Sequence, residues 1–104
     1  MFDDTGHNGE LLLTRVFQAL SNINTRKIVE LLAQGPRSRP ELLQIMDSTD
    51  MRIKEAMKIL ETIGLVSEQR APDGAVYVLN TAGLDLARSW LGRVESIRGY
   101  RSEK

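Results

Sequence analysis

The sequence predicts a mainly α-helical chain with one small β-hairpin, and three observations carry that prediction. Apolar residues recur at three- and four-residue spacing over most of the 104 residues, as in helices that bury one face. Ser38 followed three residues later by Glu41 forms a capping box just before Leu42 and Leu43. Pro72, Asp73 and Gly74 suit the successive positions of a tight turn between two short runs, the second of which holds Val76, Tyr77 and Val78.

From Met1 to about Gly9 there is no periodicity and there are two glycines, so this stretch is expected to be a flexible arm. It holds His7, the only histidine. A metal needs several convergent ligands, so one histidine in such an arm is a poor candidate. Between Glu10 and Leu20, the residues Leu12, Leu13, Val16, Phe17 and Leu20 cover a broad side of a helix, and Leu11 extends it. A helix apolar over so much of its girth needs more than one packing partner. Asn22 or Asn24 can cap the next helix, in which Ile28, Leu31 and Leu32 recur. Gly35 followed by Pro36 stops it near Gln34.

Ser38 to Gly64 is the stretch the rest is arranged to hold. Pro40 lies in the first turn of its first helix, where a missing N–H costs nothing. Leu42, Leu43, Ile45 and Met46 give that helix an apolar side, and Asp47, Ser48, Thr49 and Asp50 interrupt it. A second helix is expected from about Met51 to Ile63, with Ile53, Ala56, Met57, Leu60 and Ile63 on one face. Two short amphipathic helices joined by a tight polar turn are the sequence form of a helix-turn-helix, whose second helix can enter a DNA major groove. The opposite face carries Lys54, Glu55, Lys58 and Thr62, with Arg52 and Ile59 to one side and Met51 near the start. Lys54 and Lys58 are like charges four apart, which costs an isolated helix roughly 0.2–0.5 kcal/mol. A phosphate would relieve that repulsion. A solvated face accounts for it too, because Glu55 and Glu61 flank Lys58.

Leu65–Arg70 and Ala75–Leu79 are the expected strands of the hairpin. Thr81 can cap a last helix in which Leu84, Ala87, Trp90 or Leu91, Val94 and Ile97 form a stripe. The stripe is long enough to meet a partner helix, and its first half can instead pack onto its own domain. Gly92 weakens this helix by roughly 1 kcal/mol relative to alanine. The tail from Gly99 is polar and basic, and fraying is expected there. The organisation is therefore an arm (1–9), one domain (10–98) with terminal helices at 10–20 and 81–98, and a flexible tail (99–104).

Composition bounds the function. Without cysteine there is no disulfide and no thiolate metal site. A chain this short buries a modest core, so self-association would add useful burial. The formal net charge is zero, which argues against a general nucleic-acid coat and makes any DNA contact a matter of local charge placement. No run is long enough to span a bilayer, and the acidic, polar start is unlike a signal peptide, so a cytoplasmic protein is expected. No paired nucleophile and base and no glycine-rich phosphate loop is recognisable, which argues against an enzyme.

Helix, helix, helix-turn-helix, hairpin, helix is the order of a winged helix-turn-helix domain. Ala19-Leu20-Ser21, Thr25-Arg26, Ile28, Leu31-Leu32, Gly35, Glu41-Leu42 and the run from Leu60 through Gly64-Leu65-Val66 resemble the arsenic-repressor (ArsR-like) transcription regulators over about Leu12 to Leu79. Thr81-Ala82-Gly83 before an apolar helix is similar to the segment after the wing in MarR-like and PadR-like regulators. The chain departs from the ArsR-like pattern in lacking metal-sensing cysteines. It departs also in the extra residue of Asn22-Ile23-Asn24, in Asp47 where glycine is common, and in Ala56 where a polar residue is frequent.

The resemblance implies a DNA-binding repressor without a cofactor, acting as a homodimer through its first and last helices. Two recognition helices (about 50–63) would then lie one DNA turn apart on a palindrome, with the wing (66–79) at the backbone. Arg52 and Lys54 become the candidates for base edges, and Met51 for a thymine methyl. Ser38, Arg39, Ser48, Thr49 and Lys58 are the candidates for phosphates, with Arg70 at the wing. Leu13, Val16, Phe17, Leu84, Trp90, Leu91 and Val94 are the candidates for dimerisation. No effector is indicated. A second reading remains open: a winged helix used for protein contacts, in which Asp47, Asp50, Glu55 and Asp73 account for an electrically mixed face.

Overall fold

The computed structural model describes residues 4–102. Its elements are α1 (Asp4–Leu20), α2 (Ile23–Ala33), α3 (Arg39–Ile45), α4 (Asp50–Thr62), β1 (Val66–Ala71), β2 (Gly74–Leu79) and α5 (Ala82–Ser102). The two strands pair antiparallel from Val66 with Leu79 to Ala71 with Gly74. Five helices with one hairpin in this order make a winged helix-turn-helix fold.

Besides one-residue shifts in the strands, the boundaries at both ends of the chain differ from expectation. α1 starts at Asp4, so the Asp4–Gly9 part of the expected arm is helical, while 1–3 lie outside the described residues. α5 continues past Gly99 to Ser102, and 103–104 lie outside. The physical reason is cooperativity: once a packed segment has met the cost of nucleation, each further residue adds a backbone hydrogen bond. The side chain of His7 also lies outside the described residues.

Local chemistry sets the helix junctions. Asn22, not Asn24, caps α2: its side chain accepts from the Asn24 N–H at 2.7 Å. Thr25 is fully buried, and its hydroxyl lies against the carbonyls of Ala19 and, at 2.8 Å, Asn22. The Arg26 Nη1 donates to the Leu20 carbonyl at 2.6 Å. Thr25-Arg26 thus ties the end of α1 to the start of α2, satisfying carbonyls that a helix end leaves open. α4 ends in a Schellman motif: the Leu65 N–H donates to Leu60 at 2.9 Å and the Gly64 N–H to Glu61 at 3.1 Å. Gly64 takes φ +80° there, a conformation that costs a side chain but not glycine.

At the hairpin tip no described residue but glycine has positive φ, and Gly74 has φ +124°. Asp73 therefore stays on the negative side, as a type I turn with Pro72 leading requires. A single isolated bridge that the sequence does not announce ties the wing to the loop before α3. Arg37 pairs with Tyr77, whose N–H donates to the Arg37 carbonyl at 2.8 Å and whose carbonyl accepts from the Arg37 N–H at 3.2 Å.

One apolar cluster joins these elements. Val16 from α1, Ile28 from α2, Leu42 from α3, Ile53 and Leu60 from α4, and Leu65 before β1 are each at most 1% exposed. On α3 the buried residues are Leu42 and Met46; Ile45, expected on the same side, is exposed because one residue turns the helix by about 100°. The expected face of α4 is buried at Ile53, Ala56, Met57 and Leu60 and half-buried at Ile63. Beyond Ala87, residues 88–99 of α5 are exposed. That overhang contributes to a radius of gyration of 16.5 Å, against about 13 Å for a compact chain of this length.

Candidate nucleic-acid interface

Burial of one face of α4 presents the other. Met51, Arg52, Lys54, Glu55, Lys58 and Thr62 are all exposed, and at 3.6 residues per turn Met51, Glu55, Lys58 and Thr62 form one stripe. Lys54 and Glu61 flank it on one side, Arg52 and Ile59 on the other. Arg52, Lys54 and Lys58 make no ion pair among the described residues. Thr49 caps the helix, its hydroxyl accepting from the Arg52 N–H at 3.2 Å.

A cleft of about 400 Å³ lies beside α4, toward the wing. Its lining includes buried Ile53 and Met57, together with Arg39, Lys54, Lys58, Glu61 and Tyr77. Burial pushes the Tyr77 phenol up, reinforced by Glu68 and Glu61, with Arg39 acting in the opposite direction. Arg70 stands exposed on β1, opposite Ala75 of β2. Asp73 is exposed at the tip.

The turn side of the unit is more committed. The Ser38 hydroxyl accepts from the Glu41 N–H at 3.3 Å, and the Glu41 carboxylate accepts from the Ser38 N–H at 2.7 Å. The bond from the Ser38 N–H, followed by one from the Ser38 side chain, holds the Glu41 carboxyl below its ordinary value. Arg39 is bound within the chain: its Nη2 and Nε donate to one oxygen of Asp50 at 2.6 and 3.0 Å. Ser48 is the clearest departure from the expected phosphate contacts. Its hydroxyl is shielded from solvent and has no hydrogen-bond partner among the described residues, so in this conformation the side-chain oxygen is not presented to a phosphate.

The expected dimerisation residues divide in the same way. Phe17, Trp90, Leu91 and Val94 are exposed, and Leu13 and Leu84 are half-buried against the core. Val16 is a correction: it is fully buried inside its own protomer, where it packs close to Gly83. Sequence reading missed Asp50 as the partner of Arg39 and Tyr77 as the partner of Arg37. Neither carries a local signal, since the pairs are eleven and forty residues apart. Among the described residues no group of three or more His, Cys, Asp or Glu is placed to hold a metal ion. No helix among them is long and apolar enough to cross a membrane.

Comparison with known proteins identifies the lineage. No family model matches the chain. It is 34% identical over 88 residues to the HTH-type transcriptional regulator Rv2034 of Mycobacterium tuberculosis, covering 83% of this chain and 82% of that one. It is 27% identical over 79 residues to the transcriptional repressor SdpR of Bacillus subtilis, covering 76% and 88%. Among solved structures it is similar to the homodimeric winged helix-turn-helix DNA-binding domain of Mb0332 from Mycobacterium bovis, a possible ArsR-family regulator. That likeness has a TM-score of 0.68 and 25% identity over 98% of this chain and 92% of the other. On the fold, the order of its elements and these relatives, the chain belongs to the HTH-type transcriptional regulators, as an ArsR-like winged helix-turn-helix member without metal-sensing cysteines.

Proposed function

We propose that this protein binds double-stranded DNA sequence-specifically as a homodimer and represses transcription, with α4 in the major groove and the hairpin at the backbone. The observation that carries the reading is the outward face of α4, where Met51 stands exposed beside Arg52, Lys54 and Lys58, which make no ion pair among the described residues, on a helix whose other face is locked in the core. Arg52 and Lys54 lie in the first half of the helix, where a docked recognition helix meets base edges. Arginine reads guanine through two hydrogen bonds, and Met51 supplies an apolar contact for a thymine methyl. Lys58, Arg39, Thr49 and Ser38 serve the phosphates, and Arg70 serves the backbone from the wing.

The dimer rests on the exposed apolar residues of α1 and α5. Leu12, Phe17, Trp90, Leu91, Val94 and Ile97 stand exposed on these two helices, and a second copy would cover them. The winged helix-turn-helix DNA-binding domain of Mb0332 is homodimeric. Repression is proposed from SdpR, a repressor. The cytoplasm is the compartment in which such a protein would meet DNA.

The test is fluorescence anisotropy of a labelled random-sequence duplex pool over a salt series, followed by selection of the bound sequences. Binding that weakens steeply with salt supports the reading, with each phosphate contact contributing about −0.9 to the log–log slope. A folded, dimeric protein that binds no duplex at low salt overturns it. The acidic side chains Asp50, Glu55 and Glu61 on α4 favour the protein-interaction reading in that event.

A further inference from the structure

The ion pair between Arg39 and Asp50 joins the first residues of α3 and α4, the two helices of the helix-turn-helix. It rests on the DNA-binding reading, and it adds a residue with an opposing role. Two donors of one guanidinium converge on a single oxygen of Asp50, at 2.6 and 3.0 Å. This is the edge through which arginine grips a phosphate. Both side chains remain reachable from solvent, at 35% and 57% exposure, so the pair can be exchanged for another anion. Asp50 also lies two residues before Arg52, where its charge would stand near the same backbone. In a chain of zero net charge, one cation held or released is a large share of the local excess.

We propose that Asp50 is a restraint on DNA affinity: its carboxylate occupies Arg39 in place of a phosphate and keeps binding to non-specific sequence weak. Docking on an operator must break the pair, and base contacts from the rest of α4 supply the compensation. Random sequence offers no such compensation. Asp50 is then a residue that sets specificity without touching a base.

The experiment uses the whole chain as wild type, Asp50→Asn, Arg39→Gln and the double variant, with circular dichroism to verify folding of each. Binding of a labelled random-sequence duplex is measured over a salt series. One additional phosphate contact with a log–log slope near −0.9 is worth roughly eightfold in affinity at about 0.1 M salt. The expected result is therefore that Asp50→Asn binds roughly eightfold tighter there, with a slope steeper by about one. Arg39→Gln in the same background should cancel most of that gain.

Unchanged or weaker binding by Asp50→Asn overturns the proposal and leaves the DNA reading standing. Weaker binding would cast Asp50 as a direct reader, since a carboxylate can accept from cytosine N4. A gain that persists without Arg39 also overturns it, because the charge of Asp50 would then act alone. If folded wild type and variants all bind no duplex, the DNA reading falls and takes the proposal with it.

Discussion

Phe17 and Trp90 meet edge to face, with ring centroids 5.6 Å apart and 73° between the ring planes. The contact fastens α1 to α5 at the point where α5 leaves the core, since Ala87 is buried and Trp90 is not. An aromatic pair of this geometry contributes about 0.5–1.5 kcal/mol beyond the area it buries. Each ring nevertheless keeps more than a third of its surface exposed, 37% and 39%.

Trp90 is the only tryptophan, so its emission reports on this surface. If a second copy covers the α1–α5 face, dilution should shift the emission to the red as copies separate. Phe17→Ala should lower the melting temperature and move that transition to higher protein concentration. Emission independent of concentration, with a monomer in sedimentation equilibrium, would remove the dimer from the proposed mechanism.

Gly83 and Gly92 occupy one helix and should respond oppositely to alanine. A Cβ on Gly83 would stand 2.8 Å from the Leu65 Cδ2 and 3.2 Å from the Val16 Cγ2. Both neighbours are fully buried, so neither can swing away, and overpacking of this kind costs about 1–3 kcal/mol. A Cβ on Gly92 would meet no described residue within 4 Å beyond its own stretch of helix, and alanine should stabilise the helix by up to about 1 kcal/mol. Urea denaturation at concentrations too low for association, comparing both variants with wild type, checks the pair of signs.

The readable parts of this chain were those decided within a few residues. The Ser38–Glu41 box and the end of α4 at Gly64 are local chemistry and lie where the sequence implies, and the cap of α2 falls on Asn22, one of the two asparagines the sequence offers. What stayed hidden depends on tertiary approach. Arg39 reads as a free cation until α4 brings Asp50 to it, and Arg37 reads as loop until β2 passes. The apolar girth of α1 shows that several partners are needed without saying that Val16 faces its own core while Leu12 does not. Ser48 looks like a free polar turn residue because nothing local says that its hydroxyl is shielded.

Thr25→Val should be costly although the shapes match. The hydroxyl is buried against the Ala19 and Asn22 carbonyls, and a methyl leaves the Ala19 acceptor without its partner in the core. An unsatisfied buried group of this type costs about 1–3 kcal/mol. Thr25→Ser, which keeps the donor, should lose less, and thermal melts of the two variants side by side separate the hydrogen bond from the packing.

Acid should weaken the helix-turn-helix through Glu41. Its carboxyl is held below the ordinary 4.5, first by the hydrogen bond from the Ser38 backbone and then by the Ser38 side chain. A group whose native value is depressed binds fewer protons folded than unfolded. Its contribution is therefore complete above the unfolded value and is lost as pH falls through the folded one. Glu41→Gln keeps a capping partner but cannot titrate, so its stability should fall less steeply than that of wild type as the pH drops below 4.5. Parallel slopes for the two proteins would show that the capping box carries no charge-dependent share of stability.

Charge reversal addresses α4 itself. Arg52→Glu with Lys54→Glu replaces two exposed, unpaired cations on a face whose opposite side alone is packed, so the fold should survive and the far-ultraviolet circular dichroism should not change. Two phosphate-facing or base-facing cations become repulsive, and losing two contacts at about −0.9 each in slope predicts affinity lower by roughly 60-fold or more at about 0.1 M salt. Arg52 and Lys58 should also separate. Arg52→Ala should relax the base preference recovered by selection at one position, because a bidentate contact discriminates by about 1–3 kcal/mol. Lys58→Ala should instead weaken all sequences alike and flatten the salt slope by about one, as a phosphate contact does. Intact affinity in the doubly reversed protein would move the interface off α4 altogether.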